Sequence, residues 1–299
     1  MELRHIRYFI AVAEELNFTR AAEKLFTAQP SLSQQIRDLE SEIGVKLFSR
    51  TKRKVELTKA GEVFLKEARL VLQQANLAIQ VTRDSVRKSN RKITMGFVPS
   101  AEVKIFPKIM PFIREKMPSL NIELKSLNTI EQEKALLKGN LDVAFLRQTV
   151  EGFKNNLIYQ EELILVMSVE HPLALENEIP VNLLQDQNII VTDPNFSGAL
   201  GILTNQYLKE NNVKYKKIQN ASNILFTLNL VSMGMGVAIL PDYVISLLNP
   251  SICFKRMVNP TPPTINLYMS WHDHCAMEEF QYFLSLMEQN FNISCCGNE

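Results

Sequence analysis

The stretch FTRAAEKLFTAQPSLSQQIRDLESEIG, residues 18–44, predicts two short helices joined by a tight turn. Thr19 is a suitable N-cap for a first helix over residues 20–25. The second helix begins at Pro30, because proline is favoured in the first turn, and it ends before Gly44, a favoured C-terminal cap. So short a connection makes the two helices one structural unit.

The second of these helices has one apolar and one polar face. Its apolar residues, three or four apart, are Leu32, Ile36, Leu39 and Ile43. The opposite face carries Pro30, Ser33, Gln34, Arg37 and Ser41. Hydroxyl, amide and guanidinium groups of this kind hydrogen-bond to base edges and phosphates of DNA. We interpret the pair as a helix-turn-helix whose recognition helix is residues 30–43; the alternative is a solvated helix on a three-helix domain.

The flanking segments extend this unit. Apolar residues at helical spacing predict an amphipathic helix over residues 3–15. The segment LFSRTKRKVELT, residues 47–58, predicts a hairpin with a cationic tip. The tip cations are Arg50, Lys52, Arg53 and Lys54. Four cations beside a helix-turn-helix indicate the wing of a winged domain, resting on phosphates, although such a charge run is often only a solvated turn.

Residues 58–86 contain no proline and predict a single long helix. Small and apolar residues alternate three and four apart along it. They are Phe64, Ala68, Val71, Ala75, Ala78, Thr82 and Val86. A seam of this length needs a second helix, so we predict a dimerising linker helix, with packing on its own domain as the alternative. The polar residues 87–92 predict a hinge.

Strand and helix patterns alternate through the rest of the chain. KITMGFV and LNIELKSL, residues 92–98 and 120–127, predict strands, and the segment between them predicts a helix interrupted by Pro107 and Pro111. Later strands are predicted in DVAFLR, EELILVMS, NIIVTD, GVAILP and TINLYMSW, and a closing helix near residues 277–291. This alternation predicts a parallel sheet with crossover helices, in two lobes of about 100 residues each.

Composition and charge limit the possible functions. Residues 1–92 carry 18 basic and 11 acidic side chains, net +7, whereas residues 93–299 carry 15 and 21, net −6. This asymmetry is typical of a nucleic-acid-binding end joined to an unrelated module. The chain has no apolar run of 18 residues and no pattern of a secretory signal, so we expect a cytoplasmic protein without a membrane segment.

Few other residues suggest chemistry. The G-x-S-x-G, H-E-x-x-H, G-x-G-x-x-G and P-loop patterns are absent from the sequence, which argues against the alternative of an enzyme. In WHDHC, residues 271–275, metal ligands would be His272, His274 and Cys275. We prefer a polar turn in which Asp273 caps the last helix, and we predict neither metal nor cofactor. A redox-sensor alternative would use Cys295 and Cys296.

The segment LRHIRYFIAVAEELNFTRAAEKLFTAQPSLSQQIRDLESEIGVKLFSR, residues 3–50, resembles the DNA-binding segment of the LysR-type transcriptional regulators. GNLDVAF and GMGVAILP, residues 139–145 and 234–241, resemble the effector domain of that family. The resemblance implies an α/β chain: an N-terminal all-α winged helix-turn-helix with a linker helix, then a two-lobed effector domain like a periplasmic binding protein. GFVPSAEV and TDPNFSGAL, residues 96–103 and 192–200, are similar to regulators of phenylpropionate and cinnamate catabolism.

The resemblance implies a set of DNA contacts. The groove-facing group comprises Gln29, Pro30, Ser31, Ser33, Gln34 and Arg37. Arg53 is the wing residue nearest the minor groove, flanked by Arg50 and Lys54. Many members of the family have arginine where this chain has Gln34. Because an amide pairs with adenine and a guanidinium with guanine, we expect a different base preference at that point of the operator.

The resemblance also implies an effector site in the cleft between the lobes. Its residues in the first lobe are Ser100, Ala101, Asn128, Thr129 and Arg147. Opposite them are Thr192, Asp193, Phe196 and Ser197, with Asn223 and Phe226 completing the wall. Ligands of open α/β sheets lie outside the carboxyl ends of the strands, and hydroxyls at a helix start favour a carboxylate. For each residue the alternative is an ordinary cap or core role.

These expectations define three domains and several partners. The domains are a winged helix-turn-helix over 1–58, a linker helix and hinge over 59–90, and an effector domain over 91–299. Its lobes are about 91–160 with 268–299, and about 161–267. The expected partners are double-stranded DNA, a small aromatic carboxylate, RNA polymerase and a second copy in a homodimer or homotetramer. A non-aromatic or cationic effector and a ligand-independent architectural DNA-binding protein stay open as alternatives.

Overall fold

A computed structural model describes residues 1–51, 54–86, 92–193, 198–272 and 278–291. The chain divides into two compact units, residues 1–88 with 137–139, and residues 89–136 with 140–299. Lys52 and Arg53 of the predicted tip, and residues 87–91 of the predicted hinge, lie outside the described residues.

The first unit contains four helices and one hairpin. The helices are α1 Leu3–Glu15, α2 Phe18–Lys24, α3 Gln29–Ile43 and α4 Lys59–Val86, and the antiparallel strands are β1 Phe48–Arg50 and β2 Val55–Leu57. The predicted first helix, hairpin and long helix are confirmed. Their core is aromatic, because the Phe9 ring centroid lies 5.2 Å from that of Phe48 and 4.9 Å from that of Phe64.

Two helix starts differ from the prediction. Asn17, not Thr19, is the N-cap of α2, because its side-chain oxygen accepts hydrogen bonds from two amides of the first turn. α3 begins at Gln29, so Pro30 is its second residue, where an N–H would have no partner within the helix. Gly44 ends α3 in the left-handed region, with φ of +82°, as predicted.

The apolar stripe of α3 is confirmed for three of its four residues. Leu32, Ile36 and Leu39 are fully buried in the core of the first unit. Ile43 is 36% exposed, so its predicted burial is wrong. It lies in the last turn of α3, where the helix extends beyond the elements that cover it.

The two interpretations of α4 apply to different parts of the helix. Ala68 is buried in the core of the first unit, and Phe64 and Leu72 pack against that core. Three residues of the predicted seam, Val71, Ala78 and Thr82, are exposed in this single chain. The first turns of α4 therefore pack on their own unit, and the later turns carry apolar side chains on the surface.

The second unit contains the remaining strands and helices. Its strands are β3 Lys92–Phe97, β4 Asn121–Ser126, β5 Val143–Leu146, β6 Lys154–Glu161, β7 Leu163–Ser168, β8 Glu178–Pro180, β9 Asn188–Thr192, β10 Lys216–Ala221, β11 Ala238–Pro241, β12 Ile252–Val258 and β13 Ile265–Trp271. Its helices are α5 Pro99–Lys104, α6 Phe106–Lys116, α7 Thr129–Leu137, α8 Ala199–Glu210, α9 Ile224–Ser232 and α10 Glu278–Phe291. Short 3-10 helices are Pro172–Leu175, Val181–Leu184 and Asp242–Leu247.

The predicted parallel sheet is right for only part of this unit. The first sheet has the order β4-β3-β5-β13-β6, in which β3 is parallel to β4 and β5. β13 is antiparallel to both β5 and β6. In the second lobe β9 and β10 are parallel, whereas β7 is antiparallel to β11 and β12. The sheets are mixed because the chain re-enters the first sheet from the second in the reverse direction.

The chain passes between the two sheets twice. β6 ends at Glu161 and β7 begins at Leu163; β12 ends at Val258 and β13 begins at Ile265. Each sheet has a separate buried core, with Phe145 and Phe280 in the first and Leu165 and Val237 in the second.

The predicted helix interrupted by two prolines is divided at one place only. α5 ends at Lys104 and α6 begins at Phe106, which puts Pro107 in the first turn of α6. Pro111 lies inside α6 without ending it, so its predicted effect is wrong. The predicted closing helix is confirmed as α10. Within the described parts of the chain, every helix is too short or too polar to cross a bilayer.

Candidate functional site

The polar face of α3 is on the surface of the first unit. The predicted groove-facing residues that are exposed are Gln29, Pro30, Ser31, Gln34 and Arg37. Ser33 is half-buried. The structure therefore brings this predicted group together on one accessible face.

Gln34 is oriented by two neighbours on this face. Arg37 Nη2 donates a hydrogen bond to Gln34 Oε1 at 2.8 Å, and Gln34 Nε2 donates to Asp38 Oδ1 at 2.7 Å. All three side chains are exposed. Their hydrogen bonds therefore exchange with water or with a base at small net cost. The amide lies along the outer face, with both a donor and an acceptor that a base edge can use.

A buried carboxylate fixes the hairpin against α3. Glu40, in the last turns of α3, is almost completely buried. Its Oε1 accepts hydrogen bonds from the amides of Leu47 and Phe48 at 3.0 and 3.1 Å. Its Oε2 accepts from Lys46 Nζ and Arg50 Nη2, both at 3.2 Å. The four donors come from the hairpin and the residues before it, so the position of the hairpin depends on Glu40.

These donors control the pKa of the Glu40 carboxyl. Burial by itself raises this pKa, because it penalises the charged form. The amide of Phe48, the Lys46 ammonium, the amide of Leu47 and the Arg50 guanidinium outweigh burial and hold the pKa below its usual range. Glu40 is therefore ionised at neutral pH in the folded unit.

The placement of Arg50 in the cationic tip is wrong. Arg50 is the last residue of β1, and its side chain is only 27% exposed. Besides the hydrogen bond to Glu40, its guanidinium carbon lies 4.8 Å from the centroid of the Phe18 ring. Lys54 is at the turn, where its ammonium pairs with the Glu56 carboxylate at 2.6 Å. Arg53 lies outside the described residues.

Three predicted effector residues converge at the carboxyl ends of neighbouring parallel strands. Ser100 follows β3, Thr129 follows β4 and Arg147 follows β5. β3 lies between β4 and β5, which puts the three residues along one edge of the first sheet. The Thr129 Oγ1 accepts a hydrogen bond from the Arg147 amide at 3.3 Å. Ala101, beside Ser100, has its side chain buried in the core.

A buried carboxylate that the sequence analysis missed lies between these residues. Glu161, the last residue of β6, has no exposed surface. Ser100 Oγ donates a hydrogen bond to Glu161 Oε1 at 2.5 Å, and Arg147 Nη1 donates to Glu161 Oε2. Lys104 Nζ lies 3.4 Å from Oε1. Two cations and a hydroxyl together offset the cost of removing this carboxylate from water.

The same cluster extends into the second lobe. Lys104 Nζ lies 2.5 Å from Asp242 Oδ1, at the start of the 3-10 helix Asp242–Leu247. Tyr243 is buried next to this pair. Burial raises the pKa of the Tyr243 hydroxyl well above its usual range, the Arg147 charge lowers it and the Glu161 charge raises it further. Tyr243 is therefore neutral and able to donate a hydrogen bond at physiological pH.

The other predicted effector residues described by the structure lie in the second lobe, at the two-stranded sheet of β9 and β10 and at α9. Thr192 ends β9 and is buried, and the Asp193 amide donates a hydrogen bond to the carbonyl of Ala221, the last residue of β10, at 2.9 Å. Phe226, in α9, is half-buried against the core of this lobe. Phe196 and Ser197 lie outside the described residues.

Two predicted effector residues have the alternative role of helix cap. Asn128 Oδ1 accepts a hydrogen bond from the Glu131 amide at 2.9 Å, and Glu131 Oε2 accepts from the Asn128 amide at 3.0 Å. Asn223 Oδ1 accepts from the Phe226 amide at 2.8 Å, at the start of α9. Hydrogen bonds connect Ser100 and Arg147 to Glu161, and Thr129 to Arg147. Asn223 lies apart from this group, at the start of α9 in the second lobe.

The remaining chemical alternatives fall largely on residues outside the described chain. These residues are Asp273, His274, Cys275, Cys295 and Cys296. His272 is described, and its ring centroid lies 5.5 Å from that of Phe153. Among the described residues, no group of three or more His, Cys, Asp or Glu side chains is arranged to hold a metal ion.

Family models match both parts of the chain. The model of the bacterial regulatory helix-turn-helix protein of the lysR family matches residues 3–62, and the LysR substrate binding domain matches residues 87–291. The chain is a member of the LysR family of transcription regulators. It is therefore a DNA-binding regulator with an effector-binding domain, a class of protein that acts as an oligomer, and the enzyme alternative is wrong.

Individual relatives agree with this family over nearly the full length. This regulator is 44% identical to the Hca operon transcriptional activator HcaR of Escherichia coli K12. The alignment spans 291 residues, 97% of this chain and 98% of HcaR. It is 36% identical to the regulator AlsR of Bacillus subtilis over 259 residues, 86% of each chain.

Solved structures of full-length relatives support the fold class predicted from the sequence. The regulator aligns to full-length BenM with a TM-score of 0.59 and 28% identity, covering 97% of this chain and 96% of BenM. It aligns to full-length CbnR in complex with its target DNA with a TM-score of 0.56 at 24% identity, a likeness of fold alone.

The Glu40 anchor leads to a prediction about pH. Glu40→Gln is expected to destabilise the first unit by about 1–3 kcal/mol at neutral pH, because charge-assisted hydrogen bonds are lost. The folded-state pKa is lowered, so the carboxylate stabilises the fold above the unfolded pKa of about 4.3 and loses that effect as the pH falls through the folded pKa. Hydrogen exchange of α1 and α3 peptides measures the stability of the first unit. The difference in stability between the wild type and Glu40→Gln should become smaller as the pH falls from 7 to 3.

Glu56→Gln is the matched control for this prediction. Glu56 is on the same hairpin, pairs with Lys54 and is 54% exposed. Its replacement is expected to change the stability by less than about 1 kcal/mol, since exposed ion pairs contribute little. A wild-type advantage over Glu40→Gln that stays constant across this pH range would contradict the role given to the Glu40 charge.

The Glu161 cluster leads to a second prediction. Arg147→Met removes one partner of a buried ion pair and is expected to destabilise the second unit by about 3–5 kcal/mol. Adding Glu161→Gln removes the stranded charge, so the double variant should lose less stability than the sum of the single variants. Trp271, the one tryptophan of the chain, is buried in β13 and reports urea unfolding of this sheet by fluorescence.

An exposed ion pair in the same sheet provides the control. Lys125 and Glu123 lie 3.6 Å apart on the surface of β4. Lys125→Met is expected to change the free energy of unfolding by less than about 1 kcal/mol. Equal losses for Arg147→Met and Lys125→Met would show that the buried pair is not a structural centre of this unit.

Proposed function

We propose that this LysR-type regulator responds to a small carboxylate, an aromatic acid of phenylpropanoid type, bound beside Ser100, Thr129 and Arg147. The observation that carries the proposal is that the described side-chain contacts of Arg147 use only one of its three nitrogen atoms. Its described contacts to Glu161 and to the Asn266 carbonyl both involve Nη1. A guanidinium has five N–H donors, so Nη2 and Nε can donate to a second carboxylate without breaking the first pair.

The surroundings of Arg147 support an anion rather than a neutral ligand. Lys104 lies in the same cluster, where the carboxylates of Glu161 and Asp242 balance its charge and that of Arg147. The N-terminus of α7, which begins at Thr129, adds the positive end of a helix dipole. The Thr129 hydroxyl adds a donor at the same edge, whereas the Ser100 hydroxyl donates its proton to Glu161 and holds the cluster in place. A bound carboxylate would thus meet charge and donors from three neighbouring strand ends.

The aromatic part of the proposed effector rests on similarity and on one side chain. The two segments at residues 96–103 and 192–200 are similar to regulators of phenylpropionate and cinnamate catabolism, and HcaR is 44% identical to this chain. Phe226 is half-buried at the start of α9, where a ring can stack on it. Thr192, Asp193, Phe196, Ser197, Asn223 and Phe226 form the proposed wall of the second lobe.

The proposed mechanism is a shift between two arrangements of the lobes. The effector shifts this equilibrium only if it binds one arrangement more tightly, since equal affinity changes nothing. We propose that the exposed apolar residues of α4 form the dimer contact through which the DNA-binding units are paired. A change in the lobes then alters the spacing of those pairs on an interrupted palindrome and so the contact with RNA polymerase.

The effector proposal predicts a selective thermal shift. The melting temperature of the purified full chain should rise with dose for phenylpropionate, cinnamate and hydroxylated cinnamates, because a ligand that binds only the folded state stabilises it. Muconate, benzoate and a cationic amine serve as contrasts. Ser100→Ala and Thr129→Ala should each reduce the shift.

Ser270→Ala is the matched control, since it removes another fully buried serine hydroxyl, from β13 of the first sheet. Ser270 Oγ donates to Asn155 Oδ1 at 2.6 Å, among partners separate from the Glu161 cluster. This variant is expected to melt earlier than the wild type but to keep the full shift with the acids. If none of the acids raises the melting temperature, the proposal of an aromatic acid effector is rejected. The family membership is unaffected by that result.

We propose further that Gln34 reads an adenine in each half of the operator. Gln29, Pro30, Ser31, Ser33 and Arg37 are the proposed neighbours on the same face, and Arg53 and Lys54 the proposed wing contacts. An amide makes two hydrogen bonds to adenine, whereas a guanidinium makes two to guanine, and each such pair discriminates by about 1–3 kcal/mol. Exposure of Gln34 on the outer face of α3 supports this role.

The operator proposal predicts a change of sequence preference. Selection from a randomised duplex library should show adenine replaced by guanine at one position per half-site in Gln34→Arg. Ser41→Arg adds the same charge near the other end of the exposed face. It should raise affinity for all duplexes without changing the preferred base. Identical selected sequences for the wild type and Gln34→Arg would reject base reading by Gln34.

A further inference from the structure

Phe26, in the turn between α2 and α3, combines two unfavourable features. Its side chain is 98% exposed, the largest value among the large apolar side chains of the described residues. Its backbone has φ of +51°, in the left-handed region that residues with a Cβ rarely adopt. Packing within the folded chain therefore does not explain this residue.

The hydrogen bonds of the turn show why the backbone takes this conformation. The Phe26 amide donates to the Glu23 carbonyl at 3.1 Å, and the Thr27 amide donates to the Ala22 carbonyl at 3.0 Å. These two bonds form a Schellman motif at the end of α2, and Phe26 occupies its left-handed position. Glycine is the usual residue there, and asparagine is the next most common. Phenylalanine at this place costs stability that either of those residues would retain.

The position of the turn gives the exposed ring a partner. Two residues separate Phe26 from the start of α3, and the first turn of a recognition helix is the part that enters the major groove. Gln29, Pro30 and Ser31 in that turn are exposed. A ring beside them lies next to the apolar features of the groove, which are the thymine methyl groups and the deoxyribose edges.

We infer that the Phe26 ring packs against operator DNA and that the strain of its turn is retained for this contact. The occupant of this surface is the double helix that α3 binds, because the ring is continuous with the exposed face of the recognition helix. The inference adds a residue to the DNA interface that is independent of the effector and of the base preference of Gln34. It also predicts opposite effects of one substitution on folding and on binding.

The test uses Phe26→Gly in the full chain. The probe is the duplex with the highest affinity that the wild type selects from a randomised library. Binding should weaken by at least about tenfold, because the burial of an aromatic side chain is lost. The melting temperature should stay equal to that of the wild type or rise by about 2–4 °C, because the turn is relieved of strain. Weaker binding by a chain that is at least as stable cannot come from unfolding.

Three further measurements sharpen the test. Phe26→Tyr keeps the ring and should keep most of the affinity. Leu16→Gly is the matched control, since Leu16 also has a left-handed backbone, with φ of +45°, and is 47% exposed at the end of α1. It should bind the probe like the wild type. Replacing thymidine by deoxyuridine in the probe identifies the group that the ring contacts. If the ring contacts a thymine methyl group, Phe26→Gly should weaken binding less on the deoxyuridine duplex. If the ring contacts a deoxyribose, the effect of Phe26→Gly should be the same on both duplexes.

One outcome overturns the inference directly. If Phe26→Gly binds the selected duplex as tightly as the wild type at the same salt concentration, the ring does not contact DNA. Equal weakening by Phe26→Gly and Leu16→Gly would also overturn it, because the loss would then follow from a change of backbone at either turn. The effector panel does not enter this test, so failure of the effector proposal leaves it unaffected.

Discussion

Burial of the Glu161 carboxylate is the constraint that organises the effector-binding unit. A carboxylate removed from water loses its hydration, and surrounding donors and cations must offset that cost. Ser100 and Lys104, both in α5, and Arg147, directly after β5, meet this need. Because Glu161 ends β6 one residue before Leu163 begins β7, this cluster lies at a point where the chain leaves one sheet for the other. The groups proposed to hold the effector carboxylate are therefore held in place by a structural ion pair.

The DNA-binding unit uses the same physical device for a different purpose. Glu40 is a second buried carboxylate, and its partners are two backbone amides and two cations of the hairpin segment. Arg50, which the sequence analysis predicts as a DNA contact, links the hairpin to the recognition helix through Glu40. The wing is held by charge rather than by apolar packing alone, so its position relative to α3 depends on the ionisation of one side chain.

Local features of both units were predictable, and long-range partners were not. Helical spacing identified α1, the buried side of α3 and the length of α4, because apolar periodicity is a property of a single segment. The cap of α2 was misassigned because Asn17 and Thr19 are both good N-cap residues two positions apart. Glu161 was missed because its partner Ser100 is 61 residues away and the charge stands beside a second glutamate in an ordinary strand end. The antiparallel β13 was missed because strand direction depends on where the chain re-enters a sheet, which hydrophobic pattern does not encode.

The two crossings between the sheets determine which lobe motions are available. β6 and β13 are neighbours in the first sheet, and β7 and β12, which continue from or lead into them, are neighbours in the second. A single covalent connection would leave the lobes free to twist about it. Two parallel connections remove most of that freedom and leave bending about the line that joins them as the softest motion. The effector proposed to bind between the lobes would act on this one angular coordinate, and its binding would become a rotation with a defined axis instead of a diffuse loosening of the unit.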